Sequence, residues 1–525
     1  MHQALLIADI QHCIFDQISS KQTLSALART CQALTEGALD ILWRDLDCFT
    51  RLIECMPHDL WTRGLEPKYG LKDYTFELRR PISSSDWAVF QKYSLRVRSI
   101  QGPSGARSSI KMDGPCILSL CSPSAPIPLL PNVTSLVWAI ASNVDIVALS
   151  RLIPPHSTSL RVHSPPDSRW PKFQPVLPIA VDQIRLSIKH FAVDGDKSCP
   201  KSLLDGMKRS LRELQSLETL WWNDLGSETI VSLTQLPALR QVRFEFPSDF
   251  AQYVEALPPR SQIPKLAFSK LCGFDIVVTG GNLASVTAFL NYFDFSMMEK
   301  IHVSAPHPSQ SMEIQEIFAT LASSQSCDTI RDISIMDRFH AFRSPLTVLH
   351  PLGMHELRPL LQFSRLQRLR LSVECPIALE DAMLIAMATA WPHLSLLYFN
   401  YDGPWHPGSH ITPLAFVKLL ECCPKLERLG ILMDFSAVDY DDFDPWSIED
   451  IRTQNRKGSS FSMLELKAYR IVHPHAVALF FAAVLPNWVF LSMADCDSGE
   501  QDPEAVEQSF YETGKIYRDI VMNGE

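Results

Sequence analysis

The chain has 525 residues, of which 46% are apolar and 20% charged, with a formal net charge of −10. That is a core-forming composition, not a disordered one. The negative balance argues against a general electrostatic grip on nucleic acid or anionic lipid. No run approaches the ~20 apolar residues that a membrane span needs, and the start, MHQALLIADIQHCIFD, lacks the basic segment and cleavage site of a secretory leader. Thirteen cysteines contain no C-x-x-C pair. They read as small buried hydrophobes in a reducing compartment, so the expected location is the cytoplasm or nucleus.

In the first fifty residues, Leu6, Ile10, Ile14 and Ile18 recur at steps of four, with Ile7 on the flank. This spacing predicts a helix with one apolar stripe. A second stripe holds Leu24, Leu27, Ala28 and Cys31, and a third follows Thr35, read as an N-cap, through Ala38, Leu39 and Leu42 to Trp43. Three short helices bury too little surface to be secure alone. Such a module expects a partner.

The segment resembles the F-box, and TLSALARTCQALTEGALDILWRDL resembles in particular the F-box of large families in mushroom-forming fungi. The matching residues are Leu6, Ile7, Ile10, Ile14, Ile18, Leu24, Leu27, Cys31, Leu34, Leu42 and Trp43; Ala8 stands where the family has proline. The resemblance implies that residues 1–48 dock a Skp-type adaptor on a cullin scaffold. Leu6, Ile7, Ile10, Ile14, Ile18, Leu24, Leu27, Cys31, Leu34 and Trp43 are then the candidate adaptor contacts.

Residues 49–128 read as a linker and irregular first repeats, with 102–128 an irregular connection. From there a loose phrase recurs, Φ-x-x-Φ-x-Φ with Φ apolar, often preceded by proline. Examples are LPNVTSL at 130–136, VDQIRL from Val181, LETLWW from Leu217, LPALRQV at 236–242, LCGFDI from Leu271, MEKIHV from Met298, IRDISI from Ile330, LQRLRL from Leu366, WPHLSLL at 391–397, CPKLERL at 423–429, FSMLEL from Phe461 and LPNWVFL at 485–491. From Leu217 onward the first Φ of each phrase, counted after any proline, lies 22 to 36 residues from the next. Helical stretches such as NLASVTAFLNYF, ALEDAMLIAMATA and HAVALFFAAVL separate them, several closed by proline.

Short strand alternating with helix at a near-constant period predicts an α/β solenoid of leucine-rich-repeat type: a curved parallel sheet with outer helices over residues 129–502, preceded by a small all-α module. The proline-rich stretch 153–178 reads as a long surface loop or a poorly regular repeat, 434–460 as a charged insertion, and 503–525 as a helix sealing the last repeat.

Residues between and after the last two Φ positions should face outward from the concave sheet. Among these, Arg185, Trp221, Asn223, Arg243, Arg368, Arg370, Tyr398 and Asn400 are the candidate contacts for a protein substrate, since Trp, Tyr and Arg most often anchor interfaces.

No phosphate loop, GxGxxG, GxSxG or HExxH is present. The groupings His350/His355 and His473/His475 lack converging ligands, Asp441, Asp442 and Asp444 lack the glycine and distal glutamate of a calcium loop, and Gly280-Gly281 reads as a turn. No catalytic set, metal or cofactor is expected. Architecture and resemblance together imply a substrate-recognition subunit of an SCF-type ubiquitin ligase; the alternative is a repeat scaffold unconnected to ubiquitin.

Overall fold

The computed structural model describes residues 7–68, 71–101, 110–112, 114–140, 143–163, 176–194, 201–246, 250–256, 267–278, 283–337, 350–400, 403–406, 409–436, 438, 461–468, 471–485, 489–495 and 503–523. Leu6, the Gly280-Gly281 pair, Asp441, Asp442 and Asp444, most of the expected insertion and the LPN of the last phrase lie outside them in whole or part. The chain divides into two compact units, Met1–Leu225 with Gln235–Leu239, and Gly226–Thr234 with Arg240–Glu525.

The first unit opens with helices α1 (Ala8–Asp16), α2 (Lys21–Thr30) and α3 (Gln32–Arg44). Ser20 caps α2 by accepting from the Thr23 amide. Thr35 is not a cap: it lies inside α3, where its hydroxyl donates back to the carbonyls of Ala28 and Cys31. Such back-bonding is a common use of threonine within a helix.

Parallel strands follow as β1 (Asp45–Leu46), β2 (Ser99–Ile100), β3 (Ser135–Ala139), β4 (Ser159–His163), β5 (His190–Asp194) and β6 (Thr219–Asp224). The sheet thus begins at Asp45, two residues past the expected end of the third helix, and its second strand lies in the stretch 49–128 that reads as linker and irregular first repeats. A side sheet joins the hairpin Trp61–Lys68/Leu71–Leu78 to Ile110–Met112; nothing in the repeat phrase announced it.

In the second unit the strands are β7 (Gln241–Phe246), β8 (Gly273–Val278), β9 (Lys300–Ala305), β10 (Asp332–Asp337), β11 (Arg368–Ser372), β12 (Leu396–Phe399), β13 (Arg428–Met433), β14 (Met463–Ala468) and β15 (Phe490–Asp495). They begin 27 to 36 residues apart, and each pairs in parallel with the next. A helical segment lies between most neighbours, the arrangement parallel strands require. The fold is an α/β repeat solenoid of leucine-rich-repeat type.

The phrase explains the core. Leu366, Leu369 and Leu371 are buried while Arg368 and Arg370 are exposed, the period of two that a strand imposes. Ile330, Ile333 and Ile335 repeat this one strand earlier, and Phe461, Leu464 and Leu466 three strands later. Helices close before proline: Trp391, Cys423 and Leu485, each followed by proline, all leave helical geometry.

One reading around the early repeats is corrected and one open alternative is decided. VDQIRL is not a strand: Val176–Gln183 is helix, and the real phrase is Ile188, Phe191 and Val193, seven residues on. Leu186, expected inside, is 82% exposed. Of the two alternatives for the stretch 153–178, its described residues favour the poorly regular repeat over the long loop. The stretch contains β4 and the start of the helix Val176–Gln183, whose Pro178 sits in the first turn, where no intrahelical amide is missed.

Candidate protein-interaction surfaces

The helical module packs around Phe15, Leu24, Ala38 and Ile41, with Ile18, Leu27, Ala28, Leu34 and Leu42 partly buried against them. Gly37 lets α1 and α3 approach closely; a Cβ there would lie 3.0 Å from Gln11 Oε1 and 3.2 Å from the Phe15 ring. Gln11 Nε2 donates to the Ala33 carbonyl at 3.0 Å, and Arg44 pairs with Asp16 at 2.6 Å.

This geometry divides the predicted adaptor contacts. Leu24 is core and offers nothing outward, which corrects its assignment. Ile18, Leu27, Leu34 and Cys31 are half-covered. Trp43 is spent on the repeats, its ring 4.7 Å from that of Tyr93. Arg96 reinforces that side by pairing with Glu36 and Asp40 of α3, and Arg96 holds the Glu36 carboxyl below its usual range. What remains open is the far side of α1. Ile7 is 52% exposed and Ile14 44%, with half-buried Ile10 between them. At steps of three and four, these form one stripe.

On the strand face of the first unit, Trp221 projects as expected and is half-buried. The Arg161 guanidinium lies 4.7 Å from its ring centroid, reaching over the small Ala192 between them. Asn223 stands two residues further along β6, also half-buried. Arg185 is misplaced: it sits on the turn between helix and β5, and pairs at 3.0 Å with Glu213, the last residue of the helix Lys201–Glu213.

The second unit carries a groove of about 610 Å³ on its strand face. Register gives its floor directly. Across β7 to β14, the residues in line are Arg243, Asp275, His302, Ser334, Arg370, Tyr398, Gly430 and Glu465. The adjacent row includes Asp332, Arg368, Leu396, Arg428 and Met463. Arg243 pairs with Asp275 at 3.5 Å, and Arg368 with Asp332 at 2.7 Å. His302 Nδ1 is 3.9 Å from Asp275, and burial pushes its imidazole below the usual histidine range, so the ring is neutral near pH 7.

Tyr398 is the centre of this face. It was expected to stand outward, yet it is only 8% exposed. Its ring lies flat over Gly430 on β13; any Cβ there would collide with it. The hydroxyl thereby reaches β14, 3.5 Å from Met463 Sδ. Burial first, and then Glu465, push the phenol well above its ordinary value. Arg370 covers the ring, its guanidinium 5.1 Å from the centroid. The residue still lines the groove, as a wall instead of a protruding anchor.

Asn400 is a structural residue and not a contact, since it is fully buried with φ +41°. Its Oδ1 accepts from the Val373 amide at 2.7 Å, and its Nδ2 donates to the carbonyls of Cys375 and Pro404. Asp275, His302, Gly430 and Arg428 were missed by selecting only some phrases. The outward step applied to the phrases from Leu271, Met298 and Leu426 names all four.

Among the described residues no group of side chains is arranged to hold a metal ion, no cysteine is in a disulfide, and no helix is long and apolar enough to cross a membrane. Burial pushes the thiols of Cys375 and Cys423 up to about 12, so they are inert at neutral pH.

No protein-family model matches the chain, and no curated protein is similar to it at a significant level. Among solved structures, the chain is similar to one in the Rad7–Elc1 complex of yeast, with 15% identity over 67% of this chain and 78% of that one, at a TM-score of 0.36. It is also similar to one in the TLR13–ssRNA13 complex, with 12% identity over 76% of this chain and 54% of that one, at a TM-score of 0.28.

Proposed function

We propose that the chain is the substrate-recognition subunit of an SCF-type cullin-RING ubiquitin ligase. It docks a Skp-type adaptor through α1 and holds a target protein on the strand face of its repeats. It performs no chemistry of its own. Binding raises the effective concentration of a target lysine beside the charged conjugating enzyme, and this proximity is its contribution to rate.

The observation that carries the reading is the stripe Ile7, Ile10 and Ile14, left open on a helical module most of whose other large apolar side chains pack on its own core or, in the case of Trp43, on the repeats. Its support in the sequence is the F-box resemblance of the same residues. Fully covering an isoleucine contributes ~1.5–3 kcal/mol, so covering this stripe is worth several kcal/mol to a complex.

The test is co-purification with a Skp-type adaptor. Ile14→Asp, at an exposed position, should abolish capture without shifting the far-UV spectrum or the melting temperature, and Ile7→Asp should weaken it. Leu27→Asp is uninformative, because Leu27 packs on the module's own core. Full capture by both exposed variants refutes the docking assignment.

One observation favours a second reading, a repeat scaffold unconnected to ubiquitin. Trp43 and the carboxylates Glu36 and Asp40 fasten α3 to Tyr93 and Arg96, as a cap for the array would be fastened. Soluble, folded protein that never captures the adaptor would establish it.

A further inference from the structure

We infer that the groove of the second unit is a receptor for a single carboxylate-bearing side chain on an extended segment of a partner protein. This rests on the reading that the repeats hold a protein, and does not require the ubiquitin connection.

A tally of the charges on the groove wall leads there. Three guanidinium groups, those of Arg243, Arg370 and Arg428, face three carboxylates, those of Asp275, Asp337 and Glu465. Arg243 is paired with Asp275. Asp337 is buried and saturated by the amide and hydroxyl of Ser309 and the amide of Glu374. Glu465 faces the Tyr398 hydroxyl and contributes to the upward shift of that phenol.

Arg370 and Arg428 are left. Among the described residues neither guanidinium makes a hydrogen bond or an ion pair; that of Arg370 covers the Tyr398 ring. Both lie near enough to Tyr398 to oppose the rise of its pKa. The two cations therefore flank one fixed aromatic wall. A forked guanidinium is suited to bind a carboxylate in two-point fashion.

The surroundings set the charge of the ligand. Asp337 and Glu465 stand opposite the two free guanidinium groups, so the wall is close to neutral overall. A monoanion gains two charge-assisted contacts there; at a wall with no net charge a second negative charge gains little, because attraction and repulsion double together while the cost of desolvating the ligand grows as the square of its charge. The shape agrees. Ser334 is the smallest side chain left uncovered on the central row, since the Tyr398 ring occupies the space over Gly430, and it leaves room for a chain crossing the strands beside Tyr398, Met336 and Met463. Methionine and tyrosine supply adaptable apolar contact for the stem of a glutamate.

The experiment uses full-length protein and pools of short peptides with randomised flanks, the central residue being glutamate, glutamine, phosphoserine or serine. Retention on the immobilised protein is measured, and then affinity for the best glutamate peptide by fluorescence anisotropy. The glutamate pool should be retained about tenfold over glutamine, with affinity falling as salt rises. Arg370→Ala and Arg428→Ala should each weaken the peptide about tenfold, and Arg370→Lys and Arg428→Lys less. Arg185→Ala, outside the groove, should change nothing. Thermal melts confirm folding.

Equal retention of glutamine and glutamate, preference for phosphoserine, retention of no pool, or indifference to both arginine variants would each overturn the assignment. Adaptor capture is measured on the same preparations. Capture without an acidic preference leaves the receptor reading intact and removes this ligand; the reverse removes the ligase and keeps the groove.

Discussion

At the scale of single residues, polar side chains at strand ends hold the turns of the solenoid in place. Asn400 supplies three hydrogen bonds to backbone groups of two different loops while sitting at φ +41°, a region asparagine tolerates better than most residues. Truncation leaves the Val373 amide buried without its acceptor, at a cost of ~1–3 kcal/mol. Asn400→Ala should lower the urea midpoint of the second unit, and Asn400→Gly should do so less, because glycine relieves the backbone. Equal midpoints for Asn400→Ala and wild type would show that the side chain is dispensable.

Asp86 is the comparable residue in the first unit. Its carboxylate accepts from both terminal nitrogens of Arg80 and from the amide and hydroxyl of Ser83, capping the helix Ser84–Ser94. The Arg80 guanidinium, and then Ser83, hold its carboxyl well below the usual carboxylate range. A group whose folded pKa is depressed stabilises above its unfolded value, about 3.9, and loses that contribution as pH falls through the folded value. Protection of the Ser84–Ser94 amides, corrected for the intrinsic exchange rate at each pH, should therefore decline below pH ~4 in the wild type, and the step should be missing in Asp86→Asn. An identical acid response in both proteins would rule out Asp86 as its source.

At the scale of elements, some features were plain in the sequence and others were hidden for identifiable reasons. Phrases such as LQRLRL and IRDISI were legible because strand periodicity and burial coincide in them. VDQIRL failed because a helix end with Val181 and Ile184 on its buried side satisfies the same spacing, and a single phrase cannot distinguish the two periods. The stripe on α1 was legible as apolar. Which of its neighbours stay exposed was not, because that depends on where α2 and α3 lie. Leu24 and Ile14 look alike in the sequence and end on opposite sides of the core boundary. Tyr398 is the same lesson in a strand: its outward direction followed from alternation, but its burial depends on Gly430 in the next repeat.

At the scale of the whole molecule, a solenoid needs a closed end, since its last repeat has no neighbour to cover it. In the second unit the helix Pro503–Asn523 serves this purpose. Phe510 and Tyr517 are buried, the Tyr517 hydroxyl accepts from the Val489 amide at 3.4 Å, and its ring stands 6.4 Å from Phe481. Removal of residues 503–525 should expose the helix Pro474–Val484, which is apolar on nearly every side. The truncated protein should bind a hydrophobic dye strongly and aggregate at concentrations where the full chain is soluble. A monomeric truncation with unchanged dye binding would mean that the last repeat closes itself.

The sequence by itself determined the repeat class, the strand phrase, the sealing helix and the presence of an apolar stripe near the start, because each depends on local periodicity that a single segment carries. Tertiary structure alone decided which isoleucines stay open, where Arg185 and Asn400 go, and which two arginines stand unpaired beside Tyr398. Those outcomes depend on groups brought together from separate elements, α3 against α1 in the helical module and loops or neighbouring strands in the repeats, and the distance between elements is set by register and packing, which no local pattern encodes.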